Sequence, residues 1–242
     1  MKKTLLELIT EFEQQDKIVV EKWIRSGYVL VNSEKVFLPS LKFETTNFNY
    51  SIIKPDKYVS RASYKLLAAI KEFNLKIDNL VCLDIGSSTG GFVQVLLENK
   101  AKKVYAVDCG TNQLDYKLRV NPNVKVYENT NLKNLVTEMF EEDIDFVTCD
   151  VSFISLKHVF KVCQSLLKPS TQLMLLIKPQ FEAISKYVEK GGYVNPIHHE
   201  YIINKVLNYA TTYGFKNLAI KESPIVGKTS ENIEYISLFI KE

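Results

Sequence analysis

A glycine-rich turn between an apolar run and a helix-like run has the clearest capacity for chemistry in this sequence. It follows the apolar residues 80–83 and leads into residues 92–97. A strand, a glycine turn and a helix together place backbone N–H groups and the positive end of a helix beside a small polar ligand. The candidate ligand-binding residues of the turn are Asp84, Gly86, Ser87, Ser88, Thr89, Gly90 and Gly91.

Two carboxylates indicate which ligand the turn binds. A dinucleotide-binding turn follows G-x-G-x-x-G, but Ser88 stands here at the second glycine position. Asp84 would repel a pyrophosphate, whereas it can accept hydrogen bonds from a cationic or hydroxyl-bearing ligand. Asp108 ends the next apolar run, from which a carboxylate reaches ribose hydroxyls. The pattern favours S-adenosylmethionine over NAD. Thr130 and Asn131 are further candidates for adenosine contacts, although the pair is equally typical of a turn.

Alternating apolar runs predict the scaffold that positions this turn. Strands are expected at 81–85, 104–108, 124–127, 144–150 and 173–179, and helices at 92–99, 112–120, 133–140, 155–167 and 199–213. Such alternation implies a parallel, doubly wound α/β sheet. Two last strands, at 218–221 and 235–240, lack a long helix between them, which predicts an antiparallel pair at the sheet edge. We therefore expect seven strands, the last one antiparallel.

The first 56 residues predict a separate small α+β module. Apolar spacing indicates two helices within residues 5–24, Gly27 stands where a helix would end, and residues 28–37 predict a hairpin. Two helices, a glycine and a Val-Leu-Val-Asn strand resemble the RNA-binding domain named after ribosomal protein S-four. The module carries eight basic and eight acidic residues. We therefore expect it to position RNA through shape or a few residues, with a structural or protein-binding role as the alternative.

A basic stretch joins this module to the larger part of the chain. Residues 57–76 hold five basic residues and one acidic residue, directly before the ligand-binding strand. A solvated helix face commonly explains such a run, but its position favours one that faces RNA. We expect domains at 1–56 and 63–242, with a linker at 57–62. The candidate RNA-binding residues are Lys22, Arg25, Lys35, Lys57, Arg61 and Lys65.

Five motifs resemble, in order and spacing, the TlyA (haemolysin-A-like) family of rRNA methyltransferases. They are Val-Ser-Arg-Ala-Ser-Tyr-Lys-Leu at 59–66, Leu-Asp-Ile-Gly-Ser-Ser-Thr-Gly-Gly-Phe at 83–92, Cys-Asp-Val-Ser-Phe-Ile-Ser-Leu at 149–156, Ile-Lys-Pro-Gln-Phe-Glu at 177–182 and Asn-Ile-Glu-Tyr at 232–235. The larger half also resembles the FtsJ-type ribose methyltransferases, which have a Rossmann-like sheet and a Lys-Asp-Lys-Glu tetrad. The resemblance implies that the catalytic residues here are Lys65, Asp150, Lys178 and Glu234.

The resemblance also implies the reaction, which is methyl transfer from S-adenosylmethionine to the 2′-hydroxyl of a cytidine in 23S rRNA. In some family members 16S rRNA is a second substrate. The compactness of this chain is similar to that of the shorter members, which tend to modify the large-subunit site only. The expected partner is rRNA or a ribosomal subunit. The loop at 227–232 resembles the family segment beside the target nucleotide.

The predicted positions of these residues support the assignment. Asp150 ends the fourth strand and Lys178 the fifth, so both should reach the sheet edge near Asp84, where Asp150 can also contact the cofactor. Each charge alone could be an ordinary surface group or a helix cap. A ribose hydroxyl is a poor nucleophile at neutral pH, and a lysine whose pKa is lowered by burial and a neighbouring cation can take its proton. We assign this role to Lys178. Lys65 would hold the hydroxyl or an adjacent phosphate, and Asp150 and Glu234 would orient the two ammonium groups.

Composition narrows the classes of protein to which this chain can belong. The chain is 46% hydrophobic and its formal net charge is +3, so charge alone is a weak argument for nucleic-acid binding. Four cysteines and three histidines make no metal-ligand pattern, and we expect buried reduced thiols, no metal and a monomer. No signal peptide is visible, and no apolar run approaches the ~20 residues of a membrane helix. A cytoplasmic protein is therefore expected.

Two rival functions and one structural feature stay open at this point. A ribosome-assembly factor in which methylation is secondary or lost is one rival function. A pore-forming lysin, suggested by the historical name of the family, is disfavoured because no membrane-length segment is present. Gly191 and Gly192 predict a flexible loop after Lys178, which is a candidate lid over the substrate.

Overall fold

The chain divides into two compact units, residues 1–57 and 58–242. The computed structural model describes residues 2–53, 57–227 and 231–242. The domain boundary predicted at residue 56 lies outside the described residues, and so does the middle of the predicted loop at 227–232. Each unit has an apolar core of its own.

The smaller unit combines two helices with short strands. Its elements are β1 (Lys2–Thr4), α1 (Leu5–Glu13), α2 (Lys17–Arg25), β2 (Val29–Val31), β3 (Glu34–Lys35), β4 (Lys42–Glu44) and β5 (Tyr50–Ile52). A capping box starts α1, because Thr4 Oγ1 accepts the Glu7 N–H and the Glu7 carboxylate accepts the Thr4 N–H. The predicted helices and hairpin are present. The hairpin turns at Asn32 and Ser33, which both have positive φ, as a two-residue turn of type I′ requires.

The larger unit is built on a seven-stranded sheet. Its strands are β6 (Val81–Ile85), β7 (Lys103–Val107), β8 (Val124–Tyr127), β9 (Phe146–Cys149), β10 (Gln172–Ile177), β11 (Phe215–Glu222) and β12 (Tyr235–Lys241). Its helices are α3 (Ser63–Glu72), α4 (Gly91–Glu98), α5 (Tyr116–Arg119), α6 (Leu156–Leu166), α7 (Pro179–Glu182) and α8 (His199–Thr212). The strand order is β11-β12-β10-β9-β6-β7-β8, and β12 is antiparallel to both of its neighbours. The predicted α/β fold is confirmed.

Apolar residues on both faces of the central strands hold the two helix layers. Leu83, Val147 and Leu175 point into one core, where they meet α6 and α8. The residues next to them, Phe146 and Met174 among them, point into the opposite core with α3 and α4. Because successive strand residues face opposite sides, a strand buried on both faces needs an unbroken apolar run. The sheet edge is thereby left to the polar residues that end each strand.

Two predicted helices differ from the structure. The predicted helix at 112–120 shortens to α5, because the backbone of Asp115 is not helical (ψ 139°) and its carboxylate caps the helix there by accepting the Lys117 N–H. The predicted helix at 133–140 is wrong. Residues 132–134 and 137–139 form two separate 3₁₀ turns, since the intervening Leu135 and Val136 are extended. Apolar spacing alone does not separate such turns from a helix.

The cysteines follow the prediction at three of four positions. Cys82, Cys149 and Cys163 are buried in the core, where burial raises the pKa of each thiol. Cys109 is exposed instead, because it lies two residues beyond the end of β7 and not within that strand.

Replacement of Phe160 by alanine tests the packing of α6 against the sheet. Phe160 is fully buried, with its ring centroid 5.4 Å from Phe215 and 5.0 Å from Phe239. We expect F160A to lower the free energy of unfolding by about 3–5 kcal/mol in urea titrations. The matched control is F153A, because Phe153 is 91% exposed, and its effect should stay within about 0.5 kcal/mol. Equal effects of the two substitutions would contradict the assigned packing.

Candidate active site

Strand register explains why four charged residues from distant parts of the chain meet. Asp150 directly follows β9, and Lys178 directly follows β10. Ile177 pairs with Tyr235 across the antiparallel β10–β12 pair, so Glu234 lies at the same edge as Lys178. Lys65 reaches this edge from the first turn of α3.

The structure brings the four predicted tetrad residues into one chain of ion pairs. Lys65 Nζ lies 2.7 Å from Glu234 Oε2 and 3.3 Å from Asp150 Oδ2. The other oxygen of Asp150, Oδ1, lies 2.6 Å from Lys178 Nζ. Asp150 therefore bridges the two lysines, and the order of contacts is Glu234, Lys65, Asp150, Lys178.

Burial makes these four charges depend on one another. Lys65, Lys178 and Glu234 are 9%, 8% and 3% exposed, and Asp150 is half-buried. Burial disfavours the charged form of Lys65, but the carboxylates of Asp150 and Glu234 outweigh this, and they raise its pKa above the ordinary value. Lys65 is thus held as a cation between two carboxylates.

Lys178 has different surroundings from Lys65. Among the described residues it contacts one carboxylate, that of Asp150, and its Nζ also donates a hydrogen bond to Ser152 Oγ at 3.1 Å. It lines a cavity of about 230 Å³, together with Asp84 and residues of the glycine turn. Of the two lysines, Lys178 is the one placed to meet a reacting molecule.

The glycine turn fits closely against the end of β9. Gly86 has φ +82°, and a Cβ there would lie 3.1 Å from the Val151 side chain and 3.2 Å from the Asp150 carbonyl oxygen. Any side chain at Gly86 would therefore push the turn away from Asp150. Gly90, with φ +97°, lies against leucine side chains. It lines neither the cavity beside Lys178 nor the adjoining cavity described next.

The other predicted cofactor residues line two adjoining cavities. The smaller one is lined by Asp84, Gly86, Ser87, Ser88, Thr89, Gly91 and Asp150, and the second, of about 520 Å³, by Asp108, Thr130 and Asn131. Both cavities share Gly86, Ser88, Asp150 and Ser152. Asp108 connects them, since its Oδ2 accepts the Ser88 N–H at 2.8 Å. A ligand with two polar ends can therefore lie across the shared residues.

The burial and the hydrogen bonds of the Asp84 carboxylate indicate whether these residues fit S-adenosylmethionine. Its side chain is 1% exposed, and Oδ1 accepts a hydrogen bond from Thr148 Oγ1 at 2.7 Å. Oδ2 is buried and has no hydrogen-bond partner among the described residues. Burial raises the pKa of Asp84 to about 7, although the bond from Thr148 acts in the opposite direction. A cationic amino group is the kind of partner that this oxygen lacks, and Asp108 offers acceptors for hydroxyls, so the residues fit this cofactor.

The predicted RNA-binding residues differ in their surroundings. Lys22, Lys35 and Arg61 have exposed side chains. Arg25 is also exposed, but its guanidinium lies 2.6 Å from the Glu21 carboxylate one helical turn away. Lys57 is exposed as well, whereas Lys65 belongs to the buried ion pairs and not to this exposed group.

Sequence reasoning missed Phe153 as a functional candidate. Its ring is 91% exposed at the rim of the larger cavity, and its φ is +62°, which is costly for an aromatic residue. Phe181 supports it, with ring centroids 5.0 Å apart. An exposed aromatic ring beside a cavity, held there by a strained backbone, can stack on a nucleobase. The available signal was an aromatic residue three positions after a strand-end aspartate.

The fold and the site together define a methyltransferase. The chain belongs to the FtsJ-like methyltransferase family, which matches residues 58–240. It is 42% identical to Hemolysin A of Brachyspira hyodysenteriae over 219 residues, 90% of each chain. It is 38% identical to the 23S rRNA (cytidine-2′-O)-methyltransferase TlyA of Campylobacter jejuni over 187 residues, 76% of this chain and 71% of that protein.

A solved structure extends the comparison to the fold. The crystal structure of a candidate hemolysin from Lactococcus lactis is 43% identical, with a TM-score of 0.74, and the match covers 78% of this chain and 90% of the other. The predicted family resemblance is therefore confirmed. No helix formed by residues 2–53, 57–227 or 231–242 is both long and apolar enough to cross a membrane.

Replacement of Asp84 by asparagine tests the burial of an unpaired carboxyl oxygen. In the ligand-free protein the folded-state pKa, about 7, exceeds the ordinary value of 3.8. The folded state therefore holds a proton that the unfolded state releases, and stability falls as pH rises from about 4 to 7. D84N should remove this loss, so its advantage over the wild type is near zero at pH 4 and reaches up to about 4 kcal/mol at pH 8.

The matched control for this prediction is D108N, measured by urea unfolding across the same pH range. Asp108 accepts the N–H groups of Ser88 and Gly110, so its loss should lower stability at neutral pH. A D84N protein with the same pH dependence as the wild type would contradict the assignment.

Proposed function

We propose that this chain is an S-adenosylmethionine-dependent rRNA methyltransferase that acts in the cytoplasm on the ribose 2′-hydroxyl of a cytidine. The observation that carries the proposal is the buried chain of ion pairs from Glu234 to Lys178, which ends at the cavity beside Asp84. The relatives support the substrate. One is named a 23S rRNA (cytidine-2′-O)-methyltransferase, and that of Mycobacterium tuberculosis a 16S/23S rRNA (cytidine-2′-O)-methyltransferase.

The proposed catalytic base is Lys178. S-adenosylmethionine, when bound, supplies a methyl group activated by a positive sulfur. With its amine in the neutral form, Lys178 accepts the proton of the ribose hydroxyl as that oxygen becomes a nucleophile, and Asp150 and Ser152 hold the resulting ammonium in place. Lys65 contacts two carboxylates and therefore serves to fix Asp150 rather than to take a proton. Holding the hydroxyl and the methyl group in line supplies a large part of the rate.

The proposed RNA contacts lie outside the ion-pair chain. Phe153 is the candidate ring for stacking on the target base. The smaller unit, with its two helices and hairpin, is the candidate RNA-binding domain, followed by a linker at 57–62. All four tetrad residues come from one chain, which is compatible with action as a monomer.

Replacement of Lys178 by alanine tests the proposed base. With purified full-length protein and ribosomal subunits or rRNA, we expect K178A to lower the rate of methyl transfer by about 10²–10⁴-fold. Binding of the rRNA should change less than about twofold, because most RNA contacts lie elsewhere. The matched control is K161A, since Lys161 is an exposed lysine of α6. Unchanged transfer by K178A would rule out the proposed mechanism.

The same assay distinguishes a methyltransferase from the rival function, a ribosome-assembly factor. A wild-type protein that binds ribosomal subunits but transfers no methyl group to any of them would be an assembly factor. Transfer to the base of the nucleotide, seen as methylation that survives removal of the ribose 2′-hydroxyl from the target, would contradict ribose specificity.

A further inference from the structure

A buried asparagine joins the segment that carries Glu234 to a loop that follows α7 in the chain. Asn232 is fully buried, two residues before Glu234. Its Oδ1 accepts the Val194 N–H at 2.8 Å, and its Nδ2 donates to the Gly192 carbonyl oxygen, also at 2.8 Å. Residues 188–194 form a small hairpin closed by an antiparallel bridge between Val188 and Val194. One side chain therefore bonds this hairpin through both of its polar atoms.

A histidine makes a second tie between the same two segments. His199 is 3% exposed, its Nε2 lies 3.1 Å from the Val194 carbonyl oxygen, and its Nδ1 lies 2.8 Å from Tyr235 Oη. Because a carbonyl only accepts, Nε2 carries the hydrogen, and Nδ1 accepts from the Tyr235 hydroxyl. Asn232 is thus bonded directly to the Val194 N–H, and Tyr235 is linked to the Val194 carbonyl oxygen through His199.

The direction of the Glu234 side chain depends on where this segment lies. The Glu234 carbonyl accepts the Ser223 N–H at 2.8 Å, and the Asn232 carbonyl accepts the Gly227 N–H at 2.9 Å. A Cβ on Gly227 would lie 3.4 Å from Glu234 Oε1, so the backbone packs directly against the carboxylate. A shift of the segment would therefore move the carboxylate relative to Lys65, which it contacts at 2.7 Å.

We propose that Asn232 is a positioning residue, which fixes the 188–194 hairpin against residues 232–235 and so keeps the Glu234 carboxylate on Lys65. The effect on methyl transfer rests on the proposed function, whereas the hydrogen-bonded tie itself does not. The side-chain bonds of Asn232 with the described residues go to Val194 and Gly192 and not to Lys65 or Lys178, so we expect it to act through Glu234.

A double-mutant cycle tests whether Asn232 acts through Glu234. We expect N232A to lower kcat about 10–100-fold, as small misplacements of catalytic groups do, with less than about a twofold change in the KM for S-adenosylmethionine. In an E234Q background the same substitution should change kcat by less than about twofold, because the group that it positions is already altered. Losses that multiply in the double variant would overturn the proposal.

The conservative variant N232D separates hydrogen bonding from packing. One aspartate oxygen can accept the Val194 N–H, but the other can donate to the Gly192 carbonyl oxygen only when it is protonated. The kcat of N232D relative to the wild type should therefore rise as pH falls from 8 to 5.5, while the relative kcat of N232A stays flat. Parallel behaviour of the two variants at every pH would mean that Asn232 only fills space.

Hydrogen exchange tests the tie without any methyl transfer. The Val194 amide should exchange more than about tenfold faster in N232A than in the wild type, while core amides of β9 and β10 keep their protection. Unchanged exchange at Val194 would overturn the positioning role. A wild-type protein that transfers no methyl group but shows this exchange difference would refute the proposed function alone, and leave the tie standing.

Discussion

The site depends on the ion pairs that two buried lysines, Lys65 and Lys178, make with the carboxylates of Asp150 and Glu234. Asp150 is central because it contacts both lysines. Removing a charge from water costs several kcal/mol unless a partner compensates it, and removing one partner from a buried pair typically costs about 3–5 kcal/mol. Lys65, Asp150, Lys178 and Glu234 come from four different elements, so their pairing links α3 to the ends of β9, β10 and β12. The same electrostatics that arranges the proposed catalytic residues therefore also constrains how these elements pack.

Parallel strands explain how much of this site could be predicted from the sequence. Asp84, Asp108, Asp150 and Lys178 lie at the carboxyl ends of four of the five parallel strands, and parallel strands bring such ends to one edge. Lys65 has no such signal, since a lysine in a basic helix is most often solvated. Its assignment, like that of Glu234, needed the family resemblance.

Other features depend on contacts between residues far apart in the chain. The helix predicted at 133–140 is interrupted, although its apolar spacing is typical of a helix. Gly191 and Gly192 predicted a flexible loop, and they do occupy a turn with left-handed φ, but Gly192 and Val194 are bonded to Asn232, 40 and 38 positions later. That bond leaves no local pattern in the sequence.

The most direct test of ribose methylation is a map of 2′-O-methyl nucleotides in rRNA. The rRNA would come from cells that lack this protein, and from the same cells supplied with the wild type, K178A or K161A. We expect one cytidine that carries a 2′-O-methyl group with the wild type and K161A, and lacks it with K178A or no protein. An identical ribose-methylation map in all four samples, or full restoration by K178A, would contradict this expectation.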